Sequence, residues 1–105
     1  MTPRKALGGA IRRARIHRGL TQEDFSLVSS RTYLSTLERG GKSPTIDKVD
    51  AIAQRMDIHP LTLLAMSYAD QGYRGNTEAL LKKVAKELAQ MPKKGKATAR
   101  AKKAP

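Results

Sequence analysis

The sequence predicts an all-α fold in which five helices form one domain, followed by a sixth helix and a basic C-terminal tail. Apolar residues recur at helical spacings of three and four in each of six segments. Most of these segments begin after Ser, Thr or Asn, or with Pro, and end near glycine or proline, as helices do. A chain of 105 residues can form one hydrophobic core with tails but not two independent cores.

The first predicted helix begins after Thr2 and runs to about Arg18, where Gly19 ends it. Thr2 is a natural N-cap, and Pro3 suits the first helical position because it has no N–H to satisfy. The apolar face of this helix consists of Leu7, Ala10, Ile11 and Ala14.

The next two helices are short and lie within the stretch Leu20–Gly40. Thr21 can cap the first of them, in which Phe25 and Val28 share one face over about two turns. Ser30 can cap the second, which should end at the glycine pair 40–41. The apolar face of this second short helix consists of Tyr33, Leu34 and Leu37.

The fourth and fifth helices complete the predicted domain. Thr45 can cap the fourth, over about Ile46–Met56, and Pro60 can open the fifth, which should end near Ala69. In the fourth helix, the residues predicted to be buried are Ile46, Val49, Ile52, Ala53 and Met56. In the fifth, they are Leu61, Leu64 and Ala65.

A breaker stretch, Gln71–Gly75, separates this domain from a sixth helix that is capped by Asn76 or Thr77 and ends near Gln90. Its apolar residues are Leu80, Leu81, Val84, Leu88 and Met91. Their spacing does not identify what covers them, so this face could fold back onto the domain or pack against a second chain. We therefore predict a domain over 1–70, a linker and amphipathic helix over 71–92, and a disordered Lys-rich tail over 93–105.

The formal net charge of +12 is concentrated at the two ends of the chain. Residues 1–19 and 92–105 each hold six basic side chains and no acid, whereas 20–91 hold nine of each sign. This uneven charge favours a polyanionic partner, with nucleic acid ranked before an anionic membrane.

The absence of cysteine excludes disulfides and thiolate sites. Because no apolar run or signal-peptide core is present, we expect a cytoplasmic protein that does not enter membranes.

One face of the helix after Ser30 is polar and basic and has no carboxylate. This face consists of Arg31, Thr32, Ser35, Thr36 and Arg39. A short helix, a tight turn and a helix with such a face are typical of a helix-turn-helix, whose second helix enters the DNA major groove.

Four motifs resemble the Cro/C1-type repressor domain, also called the XRE-type helix-turn-helix. They are Leu20-Thr21-Gln22-Glu23, Tyr33-Leu34-Ser35, Leu37-Glu38-Arg39-Gly40 and Ser43-Pro44-Thr45. The resemblance covers roughly Leu7–Leu64 and implies a lambda-repressor-like, five-helix DNA-binding domain. About two residues fewer than usual separate the Thr-Gln-Glu cap from the recognition helix, the helix that begins after Ser30. We therefore expect the second helix or its turn to be shortened.

The resemblance also implies which residues contact double-stranded DNA. Base edges would be contacted by Ser30, Arg31, Thr32, Ser35 and Thr36. Phosphates would be contacted by Gln22, Tyr33, Arg39, Lys42, Ser43 and Thr45. A guanidinium fork matches guanine O6 and N7, which makes Arg31 the most discriminating of these, with a phosphate contact as the alternative. Arg15 and Glu38 match a partly buried, structural ion pair of the family.

For Gln22, two interpretations remain open: a phosphate contact at a helix N-terminus, or a surface side chain that caps its own helix. Catalytic and metal sites are not indicated, because His17 and His59 lack partners at ligand spacing. Asp47 and Asp50 are one turn apart but on a solvated face. We predict no enzymatic activity, no cofactor and no metal.

The predicted function is that of a bacterial or phage-type, nucleoid-associated transcriptional regulator, most simply a repressor, that binds an inverted-repeat operator as a homodimer. One alternative is an antitoxin-like autoregulator that binds a toxin through the sixth helix. That surface would consist of Leu80, Leu81, Val84 and Leu88. The other alternative is a nucleoid-type protein that coats DNA non-specifically through its basic ends.

Overall fold

The computed structural model describes residues 2–93, which contain five α-helices, one 3₁₀-helix and no β-strand. The α-helices are α1 (Pro3–His17), α2 (Arg31–Glu38), α3 (Ile46–Arg55), α4 (Pro60–Gly72) and α5 (Thr77–Gln90), and the 3₁₀-helix is Gln22–Phe25. The all-α prediction is confirmed. The predicted tail lies, from residue 94 onwards, outside the described residues.

Polar side chains fix the beginning of each helix. At α2, for example, the Ser30 hydroxyl accepts a hydrogen bond of 3.1 Å from the backbone N–H of Tyr33. Such caps satisfy one of the free N–H groups of a first turn. The other capping residues are Thr2, Thr21, Thr45, His59 and Asn76. All of these starts were predicted from the sequence, since capping depends on residues two or three positions apart.

The second predicted helix is present as a single 3₁₀ turn, which confirms the expected shortening. Thr21 and Asp24 form a capping box around its start. The turn then closes tightly, because the N–H of Val28 donates to the carbonyl of Phe25 at 2.9 Å. Four residues separate the 3₁₀-helix from the Ser30 cap, and they form turns and a bend rather than a further stretch of helix.

The hydrophobic core lies between α1, α2, α3, α4 and the 3₁₀-helix. Its largest fully buried apolar side chains are Phe25, Ile11, Leu34, Leu37, Ile52, Met56 and Leu63. Two residues predicted to be buried are exposed: Ile46 is 81% exposed and Leu61 is 64% exposed. Leu64 and Ala65, also predicted to be buried, are only partly buried. Ile46 and Leu61 each belong to the first turn of a helix, where the apolar face extends past the end of the core. In α4, Leu63 is buried instead.

Helix α1 approaches the end of α2 closely enough to require glycine. A Cβ at Gly8 would lie 2.1 Å from the carbonyl oxygen of Leu37. Gly40, which follows α2 with a φ of +77°, packs against the backbone of Lys5. The position of α2 is therefore set by direct backbone contact with α1.

Helix α5 packs on α4 through its first turns, where Leu80 is buried. The rest of its apolar face is exposed, including Leu88 at 67%. Helix α4 extends to Gly72 rather than ending near Ala69, and the chain turns where Arg74 and Gly75 both have positive φ. Over residues 2–93, no helix is long and apolar enough to cross a membrane.

Candidate nucleic-acid interface

Helix α2 buries one face and presents the other to solvent, as predicted. Leu34 and Leu37 are buried in the core. The five side chains opposite them are exposed or partly exposed, namely Arg31, Thr32, Ser35, Thr36 and Arg39. We call these five residues the exposed face of α2. It offers hydroxyl groups, which can both accept and donate hydrogen bonds, and two guanidinium groups, which only donate them.

The structure brings Gln22 next to this exposed face. A shallow depression of about 340 Å³ is lined by Gln22, Arg31, Thr32, Ser35 and Arg39. A second depression of about 420 Å³ adjoins it and contains Glu23 as well as Gln22 and Arg31. Three predicted base-contacting residues and two predicted phosphate-contacting residues therefore line adjoining depressions, which the other predicted residues do not line.

Several hydroxyls on this surface already have partners within the chain. The Thr36 hydroxyl donates to the carbonyl of Thr32 at 2.9 Å, which leaves its lone pairs free to accept. Arg39 donates to the hydroxyl of Ser35. The Ser30 hydroxyl accepts from the backbone as the N-cap, so its own hydrogen remains available. The exposed face is thus partly ordered by its own hydrogen bonds.

The predicted ion pair lies directly beneath this surface. Arg15 donates to both carboxylate oxygens of Glu38, from Nε at 2.7 Å and from Nη2 at 2.9 Å. These hydrogen bonds raise the pKa of Arg15 above its ordinary value, although burial opposes the effect. Gln22 Nε2 donates to Glu38 at 3.2 Å, so the side chain of Gln22 is oriented by the ion pair. Thr21, not Gln22, caps the 3₁₀-helix.

The loop after α2 brings further positive charge to the same end of the molecule. Lys42 Nζ lies 5.3 Å from the centre of the Tyr33 ring, close enough for a cation–π interaction. Ser43 is exposed, and Thr45 caps α3. The partly buried ring of Tyr33 packs against the core, which fits its predicted place on the apolar face of α2.

Sequence reasoning missed Lys48, which connects three elements. Its Nζ donates to the carbonyl of Val28 in the turn and lies 5.5 Å from the centre of the Tyr33 ring. Lys48 belongs to the first turn of α3, where the helix dipole disfavours a cation. The sequence carries no signal for these contacts, because both depend on how the turn folds.

A metal site is not formed by the described residues. Between residues 2 and 93, no group of three or more His, Cys, Asp or Glu side chains lies close enough together to hold an ion. His59 caps α4 by accepting from the N–H of Leu61 at 3.0 Å, and Asp50 accepts from Gln54. These side chains therefore have structural partners.

Comparisons with known proteins agree with this geometry. A helix-turn-helix family model matches residues 11–63, about half of the chain. The uncharacterized HTH-type transcriptional regulator y4dJ of Sinorhizobium fredii (strain NBRC 101917 / NGR234) is 38% identical over 66 residues, which cover 61% of this chain and 86% of that protein.

Two crystal structures of the clp gene regulator ClgR from Corynebacterium glutamicum share the fold. One has a TM-score of 0.63 and 27% identity, covering 66% of this chain and 91% of that one. The other has a TM-score of 0.66 and 25% identity, covering 78% of this chain and 89% of that one. Together with the four sequence motifs, these matches show that the chain belongs to the helix-turn-helix transcriptional regulators of the XRE, or Cro/C1, type.

Proposed function

We propose that this protein is a sequence-specific regulator that binds double-stranded DNA, represses transcription by occupying an operator, and acts as a homodimer on an inverted repeat. The exposed face of α2 is the observation that carries the proposal. A rigid helix with one face fixed in the core and the other rich in donors and acceptors suits insertion into the major groove.

In this proposal the residues divide into two groups by what they contact. Ser30, Arg31, Thr32, Ser35 and Thr36 contact base edges, because they occupy the N-terminal cap and the exposed face of α2. Gln22, Tyr33, Arg39, Lys42, Ser43 and Thr45 contact phosphates and set the orientation of α2 on the duplex. Lys48 joins the second group indirectly, since it holds the turn and the Tyr33 ring in place.

The proposed dimer uses the apolar surface that α4 and α5 leave exposed. A groove of about 360 Å³ runs between these helices, and its lining atoms are apolar. It is lined by Leu61, Leu64, Ala65, Tyr68, Leu80, Leu81 and Val84. Leu88 and Met91 continue the apolar face of α5 beyond the groove. A two-fold axis here would pair the same surface of each chain and bring two copies of α2 to one face of DNA.

The small number of base pairs that one chain can contact also favours a homodimer. One recognition helix contacts only a few base pairs, too few to select a single site in a genome. Two copies would double the number of base pairs read, at half-sites about 10 base pairs apart or a multiple of that distance. The alternative is an antitoxin-like autoregulator that binds a toxin partner on the same α5 surface.

The direct test is selection of bound sequences from a randomised double-stranded DNA pool by the full chain at a single salt concentration. The proposal expects an enriched inverted repeat with half-sites spaced by about one helical turn. Enrichment of a single half-site would contradict the homodimer. Binding without any enriched motif would contradict sequence specificity and favour the non-specific, nucleoid-type function.

A further inference from the structure

Glu23 and Arg31 form an ion pair across the turn that precedes α2. Arg31 Nη1 lies 3.1 Å from Glu23 Oε1, and the two side chains remain 70% and 74% exposed, respectively. Among the described residues of the exposed face of α2, Arg31 is the one whose side chain contacts a carboxylate. Glu23 also lines the depression that adjoins this face. A negative charge is therefore present on a surface that is otherwise suited to bind a polyanion.

The geometry of the pair leaves much of the guanidinium available. An arginine side chain has five N–H donors in a fixed plane, and the contact with Glu23 is made through Nη1. The edge formed by Nε and Nη2 therefore retains two parallel donors. Guanine presents two acceptors, O6 and N7, that match such an edge, whereas a phosphate would be repelled by the Glu23 carboxylate.

We propose that Glu23 is a positioning residue that determines specificity: it holds Arg31 through Nη1, so that the Nε–Nη2 edge reads a guanine in each half-site. This inference rests on the proposed DNA-binding function. Arg31 could contact either a base or a phosphate. The neighbouring carboxylate of Glu23 disfavours the phosphate contact, so the base contact is favoured. Without Glu23, Arg31 is free to bind any phosphate within reach.

The test compares Glu23→Gln with the wild type in selection from the same randomised pool at one salt concentration. Glu78→Gln is the matched control, because Glu78 is an exposed carboxylate on α5 that also faces a lysine, Lys82 at 3.7 Å. We expect Glu23→Gln to weaken the guanine preference at one base position per half-site by about three- to tenfold, a fraction of what a bidentate contact provides. Binding to unrelated DNA should become tighter. Glu78→Gln should leave the motif unchanged.

A second comparison separates positioning from direct contact. In an Arg31→Ala background, Glu23→Gln should no longer change the base preference, because the residue through which it acts is gone. A change that persists there would mean that Glu23 contacts a base itself, and this would overturn the inference.

Two further results would also overturn it. One is a Glu23→Gln protein that keeps the wild-type motif and binds all DNA more tightly, as a simple change of charge would cause. The other is a wild-type protein that enriches no motif, which would contradict the proposed function as well. An unchanged melting temperature for Glu23→Gln should accompany the expected result, since exposed ion pairs contribute little to stability.

Discussion

Arg15 of α1 and Glu38 of α2 form a bidentate ion pair whose side chains are only 12% and 3% exposed. The same guanidinium donates through Nη1 to the carbonyl of Leu20 at 3.0 Å, so one side chain connects α1, the following linker and the end of α2. Gln22 adds a hydrogen bond to the same carboxylate. This pair fixes the orientation of α2 from beneath, while its opposite face stays free.

Removing one member of this pair should be costly. In Glu38→Ala, the guanidinium of Arg15 loses its charged partner in a partly buried site, and we expect the free energy of unfolding to fall by about 3–5 kcal/mol. Urea unfolding followed by circular dichroism measures this loss. Glu87→Ala, which removes an exposed carboxylate 3.1 Å from Lys83 on α5, is the control and should change stability little. Equal effects of the two substitutions would contradict the structural role of Glu38.

Replacing the adjacent residues Gly8 and Gly9 with Ala should have opposite effects on stability. Gly8→Ala would place a Cβ 2.1 Å from the Leu37 carbonyl oxygen, so α1 and α2 would have to move apart, at a cost of about 1–3 kcal/mol. At Gly9 no atom lies within 4 Å of an added Cβ. Gly9→Ala should therefore stabilise α1 by about 0.5–1 kcal/mol. Thermal unfolding of both variants tests the contact, and a neutral Gly8→Ala would argue against it.

The helix starts could be predicted from the sequence because the signals are local. Ser30 and Thr45 cap helices through residues three positions away, and the short distance from Thr21 to Ser30 already indicated a shortened second helix. Burial at helix ends could not be predicted in this way. Ile46 and Leu61 have the correct spacing but lie in first turns, beyond the reach of the core.

For the candidate site, the sequence predicts which side chains are exposed but not which partners they contact. The exposed face of α2 follows from its spacing opposite the buried leucines, and the family resemblance assigned roles to its residues. The partners of those side chains depend on how the turn folds, which spacing does not determine. The contacts of Arg31 with Glu23 and of Lys48 with Val28 both cross that turn.

Asp24 should contribute a pH-dependent term to stability. The backbone N–H of Thr21 donates to its carboxylate at 2.7 Å and lowers the pKa of Asp24 below the ordinary value of 3.8. A carboxylate with a lower pKa in the folded state stabilises the fold above its ordinary pKa, and this contribution is lost as the pH falls through the folded value. Urea unfolding from about pH 6 to about pH 2 should therefore show a smaller acid-induced loss for Asp24→Asn than for wild type. If the free energies of unfolding of the two proteins fell in parallel with pH, the proposed contribution of Asp24 would be contradicted.

The exposed apolar face of α5 should determine the oligomeric state. Replacing both Leu81 and Leu88 with Lys should give a folded monomer with much weaker operator binding, because two charges would be buried at the proposed interface. The control, Ala79→Lys with Gln90→Lys, adds the same charge to the opposite face of the helix and should remain a dimer. Light scattering measures the mass with and without DNA. A wild-type mass of one chain under both conditions would rule out the homodimer.

The central claim is that base edges are contacted by the N-terminal cap and exposed face of α2 without Arg39, whereas Arg39 and the loop after α2 contact phosphates. Selection from one randomised pool, at one stated salt concentration, compares Arg31→Ala with Lys42→Ala. Arg31→Ala should cost about 1–3 kcal/mol on the best site and relax the preference at one base position per half-site. Lys42→Ala should weaken good and poor sites alike and leave the enriched motif unchanged. A uniform loss of binding in Arg31→Ala, with every base preference retained, would contradict the claim for Arg31 and make it a phosphate contact.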